Sequence, residues 1–103
     1  MNDKDFTEQD AKIRYVCVNV SSLSRLIQLS EECAEYIQAV SKYLRTMSQD
    51  NPTPKSEKEI IENLKEEIMD IQLCLDCIAA DMIDYKIYER KLNRWVRRLK
   101  GNA

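Results

Sequence analysis

Gln49-Asp50-Asn51-Pro52-Thr53-Pro54-Lys55-Ser56 is the one clear linker in this chain. Asn51 and Thr53 each precede a proline, whose ring pushes the preceding residue out of the α region. Ser56, with Glu59 three residues on, has the form of a capping box that opens a new helix. On either side, apolar residues recur at helical spacing. Upstream run Leu26, Leu29, Cys33, Tyr36 with Ile37, Val40, Tyr43 with Leu44, and Met47. Downstream, Leu64, Ile68, Ile71, Leu75, Ile78 and Met82 alternate steps of four and three, the pattern of a seam packed along a neighbouring helix. A helical hairpin folded at the prolines is the expected consequence.

Working outward, Ile13, Val16, Cys17, Val20 and Leu23 predict a first helix from about 8 to 21, with Thr7 and Asp10 resembling a capping box at its start. Ser21, Ser22 and Ser24 are N-cap candidates for the second helix. The third is expected to end near Asp81. Asp84 can cap a fourth, with Tyr85, Tyr88, Leu92, Trp95 and Leu99 facing inward, although no Pro or Gly enforces a break between 57 and 100 and one long bent helix is the alternative. With 103 residues, 44% hydrophobic, 33% charged, one Gly and two Pro, the chain is read as a single all-α domain over 1–103.

Composition also narrows the chemistry. The absence of His removes His-based triads, most zinc-hydrolase sites and the Glu-x-x-His di-iron site. A single glycine, Gly101, removes P-loops and dinucleotide-binding turns, so any phosphate must be held by metal or by side chains. No apolar run approaches the roughly 20 residues that a spanning helix needs, and MNDKDFTEQD lacks the layout of a signal peptide, so no membrane partner and a cytoplasmic location are expected. Cys17, Cys33, Cys74 and Cys77 are then expected as free thiols. The formal charge of −2 hides a basic segment, in which Lys86, Arg90, Lys91, Arg94, Arg97, Arg98 and Lys100 stand against Asp84 and Glu89.

The acid upstream is organised. Glu32 and Glu35 immediately precede the expected seam residues Cys33 and Tyr36, and Glu67 and Asp70 precede Ile68 and Ile71. Residues three apart on a helix have Cβ atoms about 5–6 Å from each other, so each pair makes a two-carboxylate claw, and the hairpin can bring the claws face to face. Four carboxylates in one cleft repel unless a cation neutralises them. All-oxygen ligands favour a hard ion, Mg²⁺ or Mn²⁺, and Glu31 and Glu66, each beside a claw, could orient water or act as a base. For any one glutamate a solvated helix face is the commoner meaning, but the repeat on two helices at one offset favours a site.

At these residues, EECAE over 31–35 and EIMD over 67–70, the sequence resembles the MazG-like, all-α nucleoside triphosphate pyrophosphohydrolases, whose hallmark is Glu-Glu-x-x-Glu, a spacer, then Glu-x-x-Asp. The likeness covers roughly 28–77. It implies a four-helix bundle working as a homodimer or homotetramer, binding Mg²⁺ and cleaving a nucleoside triphosphate substrate to monophosphate and pyrophosphate, with nucleotide-pool house-cleaning as a role. It also implies Glu32, Glu35, Glu67 and Asp70 as metal ligands; Glu31, beside one claw, and Glu35 are the catalytic candidates. Related sequences often end in a Lys-x-x-x-Asn-x-x-Arg helix that contacts the nucleotide. Lys91 and Arg98 fit that spacing with Trp95 at the Asn position, which makes Lys91, Trp95 and Arg98 the substrate-binding candidates.

Two features have plainer readings. Cys74 and Cys77 form Cys-x-x-Cys within a helix pattern, without the βαβ context of a redox motif, and are read as small buried residues. The basic last helix could meet nucleic acid, but the chain as a whole is acidic and carries no base-reading motif, so nucleic acid is not the expected partner. The competing class is a non-catalytic helical interaction protein with solvated acids.

Overall fold

The structure, a computed structural model, describes residues 3–78 and 80–101. It is all-α: helices α1 (Asp3–Asn19), α2 (Ser22–Arg45), α3 (Glu57–Asp76) and α4 (Tyr85–Leu99), with a short 3₁₀ turn at Ala80–Met82. None of the helices is long and apolar enough to cross a membrane among the described residues.

The starts of three helices follow from side chains that satisfy orphan amides. Ser21 Oγ accepts from the Ser24 amide at 3.1 Å and Ser56 Oγ from the Glu59 amide at 3.2 Å. Asp84 Oδ1 accepts from the amides of Lys86 at 2.9 Å and Ile87 at 3.4 Å. Helix α1 differs from expectation, since it is already under way at Asp3 and Thr7 lies inside it rather than capping it. At the far end the Gly101 amide donates to the Arg98 carbonyl at 3.1 Å, and Gly101 itself takes a φ of 78°, the left-handed conformation in which helices commonly end and which glycine adopts without strain.

The expected end of α3 near Asp81 is not observed, and neither is one long bent helix. Helix α3 stops at Asp76 with Cys77 as its C-cap. The cause lies elsewhere in the chain: the Cys77 carbonyl accepts from Arg25 Nη1 of α2 at 2.7 Å and from the Cys17 thiol of α1 at 3.4 Å. A helix end needs partners for its last carbonyls, and here they arrive from two other helices. The same contacts gather α1, α2 and α3 at the end of the hairpin away from the linker.

At the linker end, Thr53 Oγ1 donates to the Lys42 carbonyl at 3.2 Å, and Arg45 donates to the backbone and side-chain oxygens of Asn51, both at 3.4 Å. With Arg25 beside Cys77 at one end and Lys42 beside Thr53 at the other, α2 and α3 run antiparallel, as the prolines led one to expect. Among the described residues they are the only two helices packed extensively along each other.

The seam keeps the expected Leu29, Tyr36, Tyr43, Leu64, Ile71 and Ile78, but on α3 Glu67 and Cys74 take the places expected for Ile68 and Leu75. On α3 a buried and half-buried row runs Ile60, Leu64, Glu67, Ile71, Cys74 and Ile78; on α2 one runs Arg25, Leu29, Glu32, Tyr36, Ala39 and Tyr43, with the expected Cys33 and Val40 half-buried beside it. Ile60 is the deepest large side chain at 2% exposure, whereas Ile68, placed in the seam by its hydropathy, is 43% exposed. Glu32 and Glu67 therefore stand within the seam, not beside it. At 3.6 residues per turn, Glu35 and Asp70 lie to one side of their rows, and exposed Leu26, Ile37, Leu44, Ile68 and Leu75 lie to the other. Since the helices are antiparallel, those apolar residues share one face of the hairpin, opposite the carboxylates.

Helix α4 also departs from expectation. Every residue of it is exposed, including the supposedly inward Tyr88 at 64% and Trp95 at 59%. The stop at Cys77 and the turn before Asp84 swing it away, leaving an open groove of about 980 Å³ between α3 and α4, lined by Leu75, Ile78, Ile83 and Tyr88 among others. The radius of gyration is 17.9 Å, against about 13 Å for a compact domain of 100 residues. The four expected helices are present, and among the described residues α4 is not packed extensively against the other three.

Candidate metal centre

Helix α2 delivers Glu32 and Glu35 from successive turns of one helix face, and α3 delivers Glu67 and Asp70 in the same way. One oxygen from each of the four lies within 4.8 Å of the others. The two claws predicted from spacing thus meet across the seam. Glu32, Glu67 and Asp70 are half-buried and Glu35 is exposed at the mouth.

The two carboxylates that occupy seam positions carry the electrostatic burden. Oε2 of Glu32 and Oε2 of Glu67 are buried and have no hydrogen-bond partner among the described residues. Glu32 has one donor: Gln28, a turn earlier, donates from Nε2 to Glu32 Oε1 at 2.7 Å. Its carboxyl is nonetheless pushed above the ordinary glutamate range, first by burial and then by the nearby charges of Glu35 and Asp70, against the lowering effect of the Gln28 bond. Gln28 escaped the sequence analysis; its signal is the Gln-x-x-x-Glu spacing on one helix face.

The thiols remain free, as expected. Cys74 lies one turn beyond Asp70, and its thiol is held above its ordinary value by burial first, then by the charges of Glu32 and of the neighbouring groups Cys77, Asp70 and Cys33. Cys77 is buried, and burial likewise pushes its thiol up. Protonated thiols beside oxygen ligands leave the cleft a hard-donor site.

Glu31 and Glu66 are exposed and outside the four-carboxylate cluster. Lys91, Trp95 and Arg98 are exposed on α4, a helix that is not packed extensively against α2 or α3 in this chain. No protein-family model matches this chain, and no curated protein or solved structure matches it either.

The donor set suits a divalent cation on two counts. Four carboxylates supply oxygen ligands alone, and the two partnerless buried oxygens are in the state that an ion relieves.

Proposed function

We propose that the carboxylate cleft binds Mg²⁺, or Mn²⁺ in its place, and that the protein is a nucleoside triphosphate pyrophosphohydrolase releasing a nucleoside monophosphate and pyrophosphate. One observation carries this reading: two glutamates occupy seam positions where apolar residues belong, each with a buried oxygen left without a partner. Burying a carboxylate that way is costly, and it is not a device that stabilises a helical hairpin.

Glu32, Glu67 and Asp70 would hold the ion from half-buried positions, with Glu35 as the fourth ligand at the mouth. A bound Mg²⁺ would supply electrophilic activation of the phosphoryl group and charge for the departing pyrophosphate. Glu35, exposed at the mouth of the cleft, would accept the proton of an attacking water, and exposed Glu31 would orient that water. Gln28 fixes the rotamer of Glu32 by its hydrogen bond. Lys91 and Arg98, on the cationic side of α4, have the chemistry for the outer phosphates, and Trp95 has the surface to stack on a base.

The test is pyrophosphate release over a panel of canonical and modified nucleoside triphosphates, with Mg²⁺ and with chelator. Turnover that requires the ion, and that Asp70→Asn and Glu35→Gln abolish with helicity intact, supports the reading. No turnover, together with no shift of the melting temperature by Mg²⁺ or Mn²⁺, refutes it in favour of a non-catalytic interaction protein.

A further inference from the structure

The four free thiols have no part in the proposed chemistry, but two of them meet across the fold. Cys74 and Cys77 are the pair nearest in sequence. A helical spacing of three leaves Cβ atoms about 5–6 Å apart, beyond the roughly 3.5–4.5 Å that a disulfide spans. Cys17 comes from α1, 60 residues from Cys77 in sequence, and its thiol donates to the Cys77 carbonyl at 3.4 Å. A carbonyl oxygen lies about 2.4 Å from its own Cα, so this contact brings the Cys17 sulfur within about 6 Å of the Cys77 Cα. The Cys77 thiol registers that neighbour: burial pushes it up first, then Cys17 and Asp76, against Arg25.

The surroundings of the two thiols differ in the way that stepwise exchange requires. Cys17 is half-buried and lines an open cavity of about 430 Å³ together with Arg14, Arg25, Asp10 and Asp76. Two guanidiniums and two carboxylates around a thiol suit a small peptide disulfide, which itself carries carboxylates and ammonium groups. Cys77 is 6% exposed, sheltered from any oxidant outside. It is the C-cap of α3, so turning its side chain toward Cys17 disturbs a helix end and not a helix interior.

We propose that Cys17 and Cys77 are a reversible disulfide pair that clasps α1 to the end of α3, closed by a low-molecular-weight peptide disulfide such as oxidised glutathione. The Cys17 thiolate attacks one sulfur of the oxidant, forming a mixed disulfide and releasing one thiol, which takes the proton that Cys17 gave up. The Cys77 thiolate then attacks the Cys17 sulfur, the second thiol leaves with the Cys77 proton, and the S–S bond closes. Two electrons pass from the protein to the oxidant, which ends as two thiols; excess reducing thiol runs the exchange backwards. The helix that the bond holds has little else to hold it, since every residue of 8–19 except Ile13 and Cys17 is exposed. Nothing in this pairing depends on the carboxylates, so pyrophosphate assays neither support nor weaken it.

The test treats the native full chain with oxidised glutathione, blocks remaining thiols with iodoacetamide, and maps unreduced tryptic peptides by tandem mass spectrometry. The expected product joins the peptides 15–25 and 66–86 through Cys17 and Cys77. Its melting temperature should rise by about 10 °C or more, because the bond closes a long loop in the unfolded chain. Dithiothreitol should reverse both changes. Cys77→Ser should stop the exchange at a glutathione adduct on Cys17, and Cys17→Ser should leave Cys77 unmodified. A bridge to Cys33 or Cys74 instead, links found only between two chains, or thiols that all stay free overturn the proposal. Glutathione on Cys77 in the Cys17→Ser variant overturns the order of attack, and a bridged chain that melts no higher than the reduced one overturns the clasp. Should Cys77→Ser unfold, the wild-type map decides.

Discussion

Replacement of Arg25 by Met tests whether the end of α3 is set by contacts from other helices. The guanidinium donates from Nε to the Val20 carbonyl at 3.0 Å and from Nη1 to the Cys77 carbonyl at 2.7 Å, so one side chain holds the α1–α2 turn and the close of α3. Hydrogen bonds to a charged group contribute roughly 1.5–3 kcal/mol each, and partial exposure of Arg25 places the pair toward the lower end. Methionine keeps much of the apolar stem, which isolates the polar loss. The expected cost is about 2–4 kcal/mol, or a melting temperature lowered by roughly 10–25 °C in a domain of this size. Arg25→Lys keeps the charge but not the forked geometry, and should recover about half of that loss. Urea unfolding followed by far-UV circular dichroism, at matched protein concentration, measures both. A Met variant within about 0.5 kcal/mol of wild type would falsify the account of where α3 stops.

The other predictions concern the cleft and the seam. Because the Glu32 carboxyl is raised in the folded state, the folded chain binds that proton more tightly than the unfolded chain; the advantage is complete below 4.5 and is lost as pH rises through the raised value. In chelator, wild type should therefore lose stability relative to Glu32→Gln as pH climbs from about that point toward neutrality, and excess Mg²⁺ should reverse the loss; a difference that grows in favour of wild type contradicts the sign. Ile60→Ala removes the deepest large side chain of the seam, at 2% exposure, and should cost about 2–4 kcal/mol in thermal or urea unfolding. Ser56→Ala deletes the cap that holds the Glu59 amide and should cost about 1 kcal/mol.

Much of this architecture is written locally. The prolines, Ser56 and Asp84 announce the hairpin and two helix starts because each acts on its immediate neighbours, and the spacing of Glu32, Glu35, Glu67 and Asp70 places the claws because helical repeat is a local property. The end of α3 was not legible, since its cause is a guanidinium and a thiol supplied from α2 and α1. The glutamates within the seam were not legible for a different reason. Hydropathy places Leu64, Ile71 and Ile78 in the interior, where they are, but it also assigns Ile68 there and cannot put Glu32 and Glu67 there, so the residues most informative about the site read as its border. For α4 the pattern shows that an apolar surface is needed, not that its own hairpin provides one.

The clasp between Thr53 and the Lys42 carbonyl lies outside the stretch of helix that brings opposing acids together. Variation over evolutionary time should then be sharply partitioned: insertions and deletions tolerated between Arg45 and Ser56, and almost none between Glu32 and that segment or between it and Asp70. A single residue gained inside either helix would turn one pincer by about 100° away from the other.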